Sequence, residues 1–130
     1  RRTAPENCAE ASRPLLHIDG RLLGTECSRE TVRGISMMEP FGPGNPEPVW
    51  IARNAYAVTR DAVGRGRHLR VSLMVDGVLR NAIGFNMVQR SSEFERPVDL
   101  AFMLREDSYR GGDAVQLHLL DVRPALGGAP

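Results

Sequence analysis

Apolar residues occupy every second position in several segments of the chain. The clearest segment runs from His68 to Val75, where Leu, Val, Leu and Val alternate with four other residues. Successive side chains of a β-strand point to opposite faces, so this pattern predicts a strand with one buried face. A looser alternation predicts four more strands, at residues 49–60, 78–85, 98–105 and 115–124. The pattern therefore indicates a mainly β domain.

Turn signals join the first three predicted strands. Gly64-Arg65-Gly66-Arg67 separates the first strand from the second, and Asp76-Gly77 is a strong two-residue hairpin signal between the second and the third. In the third strand, the alternation places Arg80 on the outer face. The residues predicted for its inner face are Leu79, Ile83 and Phe85.

The alternation stops after Phe85 and returns at Val98. The apolar residues between them are spaced as in a short helix near residues 87–95, which Pro97 would end. The order of three strands, a short helix and two strands is that of the oligonucleotide-binding fold (OB-fold), a five-stranded, partly open barrel. We therefore expect one OB-fold domain over residues 49–124.

The residues before the barrel divide into three segments. Residues 1–14 are polar and aperiodic, and we interpret them as a tail or linker. Residues 15–38 predict a short strand and a helix that join the module to a preceding domain, with Thr25 or Ser28 as the helix cap. The helix residues expected to face a core are Val32, Ile35 and Met38.

Residues 39–48 contain four prolines and two glycines, which exclude both a helix and a central strand. They predict a rigid connector with Phe41 as its anchor. Trp50 follows at once and is expected to pack the connector or a domain interface rather than to stack on a ligand. Residues 125–130 are expected to form a disordered tail.

The composition is that of an ordinary globular protein, with 42% hydrophobic residues, 25% charged residues and a net charge of +1. No apolar run is long enough for a membrane helix or a signal peptide, so we expect a cytoplasmic protein without membrane contact. The two cysteines, Cys8 and Cys27, lack zinc-site spacing and are expected to be free thiols. The sequence begins with Arg1, and we interpret it as a fragment or an excised domain.

All 17 basic residues are arginine, for which codon bias is the simplest explanation. Arginine nevertheless has a planar group that suits phosphate and stacks on bases. Between Arg60 and Arg80 there are five arginines and only two acids, so this hairpin is basic although the whole chain is nearly neutral.

The connector Glu39–Pro48, with the sequence EPFGPGNPEP, closely resembles the segment that precedes the OB domain of RecJ-type exonucleases. The similarity continues in register over residues 15–124. The further matching segments are His68–Arg70, Asn81–Met87, Val98–Leu100, Ser108–Gly111, Gln116–Leu117 and Asp121–Arg123. Members of the family often carry tryptophan where this chain has Tyr109, which offers less stacking area.

This resemblance implies an accessory module of a 5′-to-3′ single-stranded-DNA exonuclease that acts in recombination and repair. In that family, catalysis belongs to DHH and DHHA1-type domains of the same chain, which use Mn²⁺ or Mg²⁺. The sequence has no DHH triplet and no cluster of metal ligands. We therefore predict no catalytic residue, no metal site and no cofactor in this chain, and no nuclease activity for it alone.

An OB-fold binds a single strand across its second and third strands, between the loops that join strands 1–2 and 4–5. The residues that we predict to bind DNA are Arg65, Arg67, His68, Arg70, Arg80, Tyr109 and Arg110. The alternatives are a solvated turn for the first two, a salt-bridged outer face for Arg70 and Arg80, and loop packing for Tyr109. We interpret His17 and His118 as structural residues.

Two other functions compete with DNA binding. The arginine-lined face could dock the acidic tail of single-strand-binding protein, which members of the family engage. An independent enzyme is the weaker alternative, because no nucleophile–base pair or metal-ligand spacing is present.

Overall fold

The structure is a computed structural model, and it describes residues 18–107 and 114–125. Strands are the main regular structure of these residues, with one α-helix before the barrel and a 3-10 helix within it. In chain order the elements are β1 (Gly20–Arg21), a 3-10 turn (Gly24–Glu26), α1 (Arg29–Ser36), β2 (Trp50–Val63), β3 (His68–Val75), β4 (Val78–Gly84), a 3-10 helix (Val88–Glu95), β5 (Val98–Glu106) and β6 (Val115–Pro124). None of the helices in the described ranges is long and apolar enough to cross a membrane.

Strands β2 to β6 close into the predicted OB-fold barrel. Their order is β2-β3-β4-β6-β5, and β5 pairs back with β2. The β4–β6 pair is parallel, and the other pairs of the barrel are antiparallel. The short helix predicted between the third and fourth barrel strands is the 3-10 helix Val88–Glu95. The fold prediction is therefore confirmed.

Strand β2 pairs with two neighbours in succession. Its first residues, from Trp50 to Ala55, pair with β5, and its later residues, from Tyr56 to Val63, pair with β3. The register shifts in both ladders, and Asn54, with a φ of 57°, lies within the shift of the β2–β5 ladder. Such bulges bend a strand and allow a small sheet to close.

The inward side chains of β3, β5 and β6 fill the barrel. All four alternating apolar residues of β3 are at most 1% exposed, and Phe102 of β5 is the largest fully buried side chain. Each such side chain stabilises the fold by about 1.5–3 kcal/mol relative to an exposed position. The period-two pattern of β3 thus identifies the inner face of that strand correctly.

The 3-10 helix packs against one end of the barrel. Its Phe94 is buried, and its Arg90 donates from Nη2 to the carbonyl oxygen of Val122 at 2.7 Å and from Nη1 to Asp121 Oδ1 at 3.3 Å. Burial alone would raise the pKa of Asp121, but hydrogen bonds from Arg123 and from the Val122 N–H, with the charge of Arg90, hold that pKa below its ordinary value. This carboxylate therefore joins the helix to β6.

Helix α1 is capped by Ser28, whose hydroxyl oxygen accepts from the N–H of Thr31 at 3.4 Å. Ile35 is buried and Val32 is half-buried against the core, as predicted. The prediction for Met38 is wrong, because the helix ends two residues earlier and this side chain is exposed.

Two contacts fix the connector against the barrel, and a third holds the connector's own turn. Phe41 packs against the core cluster, as predicted. The Asn45 side-chain amide donates to two nearby carbonyl oxygens at 2.7 and 2.9 Å. The carboxylate of Glu47 accepts from Nε and Nη2 of Arg105 at 2.8 and 2.7 Å, which ties the connector to β5.

Strand β1 runs parallel to the start of β2, with Gly20 opposite Trp50. The Trp50 side chain is half-buried, and it packs against the core cluster and against Gly20. A Cβ at Gly20 would lie 3.3 Å from Cζ3 of the indole, so the glycine leaves room for the ring. Packing, rather than exposure to a ligand, is the observed environment of this tryptophan.

The two faces of β4 are the reverse of those predicted. Ala82 and Gly84 point inward and are buried. The residues wrongly predicted to point inward are Leu79, Ile83 and Phe85, all of which lie on the outer side. The interior has room only for small side chains at this point, because a Cβ at Gly84 would lie 2.6 Å from the Met87 sulfur.

Candidate nucleic-acid interface

The outer face of β3 and β4 is the surface on which OB-folds bind their ligands. The β3–β4 register places Arg70 opposite Ile83 and Ser72 opposite Asn81. The parallel β4–β6 register continues these rows to His118 and to Gln116. We use the term outer face for the outward residues of these three strands.

The turn between β2 and β3 borders the outer face. Gly64, Arg65 and Gly66 have φ values of 61°, 63° and 79°, a left-handed conformation that glycine adopts without strain. Arg65 and Arg67 are exposed on this turn. A Cβ at Gly64 would overlap Cδ2 of His68 and lie 3.2 Å from its Nε2. The missing side chain at Gly64 therefore makes the space for the His68 ring.

Three rings from three segments form a row on the outer face. His68 accepts a hydrogen bond at Nδ1 from the N–H of Asn86 at 2.9 Å, so the neutral ring carries its proton on Nε2. Phe85 lies edge-on to both histidines, with ring centroids 5.2 Å from His68 and 5.5 Å from His118. These separations are favourable for aromatic pairs. We call His68, Phe85 and His118 the aromatic row.

The charge of the outer face does not come from His118. Burial lowers the pKa of this imidazole, and the positive charge of Arg105 lowers it further. Its Nε2 lies 3.0 Å from Oε1 of Gln116, an oxygen that only accepts, so Nε2 carries the proton. The ring is therefore neutral near pH 7 and acts as an apolar neighbour of Phe85.

The positive charge of this region lies on Arg65, Arg67 and Arg70. All three are exposed, and none forms an ion pair with another residue of the described part of the chain. Several other arginines, in β1, α1 and the barrel, are paired with carboxylates. These are Arg21, Arg29, Arg53, Arg90, Arg105 and Arg123. As far as the described residues go, these three guanidinium groups are thus available to an anionic ligand.

Arg80 does not lie on the outer face. It is opposite the buried Leu73 in the β3–β4 ladder, and its Nε donates to the carbonyl oxygen of Gly24 at 3.0 Å. The thiol of Cys27 is free and fully buried, and this burial raises its pKa to about 11. The positive charge of Arg80 opposes that increase. The prediction that Arg80 points outward is wrong, because β4 presents its other face to the ligand side.

Tyr109 and Arg110 lie outside the described residues, as do Cys8 and His17. The structure describes only the base of their loop, where the N–H of Asp107 donates to the carbonyl oxygen of Ala114 at 3.0 Å. A DNA-binding role for Tyr109 and Arg110 stays a prediction, as it does for the arginines whose positions are known.

The family model of the RecJ OB domain matches residues 18–121. This range contains the connector, strands β2 to β5, the first part of β6 and the outer face. The chain belongs to the RecJ OB-domain family. The resemblance inferred from the connector and the strand motifs is therefore confirmed.

The matching relatives are much longer than this RecJ OB domain. The single-stranded-DNA-specific exonuclease RecJ of Thermus thermophilus is 30% identical over 94 residues, which are 72% of this chain and 13% of that protein. Crystal structures of that RecJ in complex with Mg²⁺ and with Mn²⁺ are 25% identical, with TM-scores of 0.51 and 0.54. Each match covers 72% of this chain and 14% or 13% of the solved chain.

A pocket of about 580 Å³ lies beside the outer face of the RecJ OB domain, between the start of α1, β4 and the start of β6. Arg29, Arg33 and Arg80 line it together with Leu79 and Glu30. Arg29 is engaged by Glu106, with Nε 3.0 Å from Oε2. The pocket is therefore cationic with one apolar wall.

The sequence pattern does not identify Phe85 or His118 as residues of this face. It predicts Phe85 as a core residue, because this side chain is apolar and in phase with two other apolar residues of β4. The useful signal is Gly84, since a small residue beside a large one in a barrel strand indicates a crowded interior. This chain thus has an aromatic row that the alternation in its sequence does not predict.

Proposed function

We propose that this chain is the accessory single-stranded-DNA-binding module of a RecJ-like 5′-to-3′ exonuclease that acts in cytoplasmic DNA recombination and repair. The observation that carries the proposal is a set of three exposed arginines at the OB ligand face, namely Arg65, Arg67 and Arg70, which have no ion-pair partner among the described residues. Family membership and the single-strand specificity of the Thermus relative support it.

The module would hold the strand and leave the chemistry to other domains. Arginine contacts to phosphate are independent of sequence, so the bound strand could move through the module while its 5′ end is shortened. Hydrolysis would belong to DHH and DHHA1-type domains of the full-length protein, with Mn²⁺ or Mg²⁺ as the metal.

A salt titration of DNA binding tests the proposal. The full-length protein, with a chelator present to prevent hydrolysis, is titrated against a labelled single strand between about 50 and 200 mM salt. Each lost phosphate contact should reduce the log–log salt slope by about 0.7 on a single strand. Arg70→Ala should therefore bind more weakly to all sequences and show a smaller slope.

Arg96→Ala is the matched control, because Arg96 is an exposed arginine at the end of the 3-10 helix and belongs to neither β3 nor β4. It removes the same charge without touching the outer face. If Arg70→Ala and Arg67→Ala bind as Arg96→Ala does at every salt concentration, the outer face is not the DNA site.

The pocket beside α1 favours a second candidate function, the docking of the acidic tail of single-strand-binding protein. Arg33 and Arg80 could receive carboxylates there, and Leu79 could contact an apolar residue of the tail. An acidic peptide of this kind should bind without displacing an oligonucleotide from the outer face. Full competition between the two would place both ligands on the same surface.

A further inference from the structure

The outward side of β4 is unusually apolar for a strand face on a protein surface. Leu79 and Phe85 are each 51% exposed, and Ile83 is half-buried between them. We call Leu79, Ile83 and Phe85 the β4 strip. Ile83 and Phe85 are neighbours on this face, whereas the outward Asn81 separates Leu79 from them. A large apolar side chain that stays exposed beside another one indicates a surface that contacts a ligand.

The β4 strip lies directly beside the cationic residues. Arg70 of β3 is the register partner of Ile83, and the His68 ring contacts Phe85. Neighbouring strands of a sheet are about 4.8 Å apart. A nucleic-acid backbone held over the β2–β3 turn and β3 would therefore have its bases over β4.

We propose that the β4 strip contacts unpaired nucleobases and that Phe85 determines the preference of this module for single-stranded over double-stranded DNA. This inference rests on the proposed function, and it specifies which part of the DNA strand contacts β4. In a duplex the base faces are stacked on one another, so only a single strand offers them to a protein ring. Arginine contacts to phosphate, in contrast, are available with either kind of DNA.

Phe85 is held in place before any ligand arrives. Its ring lies between those of His68 and His118, with both interplanar angles near perpendicular at 73° and 67°. The backbone that follows is fixed by the hydrogen bond from the Asn86 N–H to His68 and by the packing of Met87 against Gly84. A side chain that is already ordered loses little conformational entropy on binding.

The test compares three ligands in the full-length protein with a chelator present. They are a thymidine-rich single strand, the same strand with abasic residues, and a duplex. Phe85→Ala should weaken binding of the base-bearing strand by about 5- to 150-fold, as expected for the loss of stacking on one base. It should leave the salt slope and the affinities for the abasic strand and the duplex unchanged. Phe85→Trp should retain single-strand binding, since tryptophan also stacks.

Met37→Ala is the control, because Met37 is an apolar side chain that is 85% exposed at the end of α1. Its affinity for all three ligands should equal that of the wild type. A second readout is photocrosslinking with 5-iododeoxyuridine in the strand, followed by mass spectrometry. The crosslinked peptide should contain Phe85.

The outcomes separate this inference from the proposed function. If Arg70→Ala weakens binding but Phe85→Ala does not, the outer face binds DNA and the assignment of bases to β4 is overturned. The same conclusion follows if Phe85→Ala weakens the base-bearing and abasic strands equally, or if crosslinks map elsewhere. If Arg70→Ala binds single-stranded DNA as the wild type does, the proposed function itself is overturned.

Discussion

Gly64→Ala is predicted to destabilise the barrel much more than Gly66→Ala, although both residues lie in one turn. Both have positive φ values, 61° and 79°, so alanine introduces backbone strain at either position. That strain costs about 1–2 kcal/mol and is partly offset by about 0.4–1 kcal/mol, because alanine also restricts the unfolded chain. We therefore expect Gly66→Ala, around which there is open space, to lower the free energy of unfolding by about 1 kcal/mol.

Gly64→Ala adds a steric effect that Gly66→Ala lacks. The new Cβ would overlap the His68 ring, which must then move. The ring would lose its hydrogen bond from the Asn86 N–H, worth about 0.5–1.5 kcal/mol, and its contact with Phe85, worth about 0.5–1.5 kcal/mol. The total cost of Gly64→Ala should therefore be about 2–4 kcal/mol.

The assay is urea unfolding of both variants at 25 °C, with the wild type and His68→Ala alongside. In the His68→Ala background there is no imidazole ring for the new Cβ to overlap. Gly64→Ala should then lower the free energy of unfolding by about as much as Gly66→Ala does. Two results would refute the reasoning. One is equal destabilisation by the two glycine substitutions in the wild-type background, and the other is an undiminished cost of Gly64→Ala when His68 is absent.

Three further predictions concern contacts away from this turn. Glu47→Gln should lower the free energy of unfolding by about 0.5–1 kcal/mol, because it weakens the ion pair with the partly exposed Arg105. The effect should be smaller at high salt, and an unchanged urea melt at low salt would contradict the contact. The pKa of Asp121 is depressed in the fold, so its contacts stabilise fully above the unfolded-state value of about 3.8 and are lost as the pH falls through the folded-state value. Asp121→Asn should therefore flatten the loss of stability in acid, and parallel pH profiles for the two proteins would disprove this. In a Cys8→Ser variant, Cys27, whose pKa is raised to about 11, should react with a thiol reagent at pH 8 only when urea unfolds the barrel. Equally fast labelling of this variant in its native state would exclude the burial of Cys27.

The barrel could be predicted from the sequence because its strands follow local rules. β3 begins and ends at the predicted residues, His68 and Val75, since its inner positions are all large and apolar. The hairpin after it follows from Asp76-Gly77, where both residues have positive φ. The break at residues 87–95 marks the 3-10 helix because the strand alternation stops there and the apolar residues have the spacing of a short helix.

The faces of β4 could not be predicted by the same rule. Alternation identifies an inner face only when the interior has room for large side chains, and at Gly84 that room is taken by Met87. The inner positions of β4 are therefore small and the outer ones apolar. The wrong prediction removed Phe85 from the candidate site and added Arg80 to it, since one reversed strand exchanges both sets of side chains.

The candidate site was predictable where it depends on a turn and not where it depends on tertiary contacts. Arg65 and Arg67 are on the outer border because a Gly-Arg-Gly-Arg segment with positive φ values forms the exposed turn between two strands. The role of His118 depends on the parallel β4–β6 pairing, which brings together residues far apart in sequence. No local pattern in either strand indicates that pairing.

The division of β2 between two partners has a consequence for how this chain folds. The first half of β2 can pair only after β5 is available, as in the pairing of Trp50 with Phe102. Its second half can form a hairpin with β3, the next strand in the chain, at once. The hairpin closes a short loop, but the barrel closes only after roughly fifty intervening residues are ordered. Folding should therefore be slow for a domain of this size, in the range of milliseconds to seconds, and the second half of β2 should be structured in the transition state before the first half. A ribosome that has released only the β2–β4 segment would have exposed an unfinished sheet whose partner strand has not yet been made.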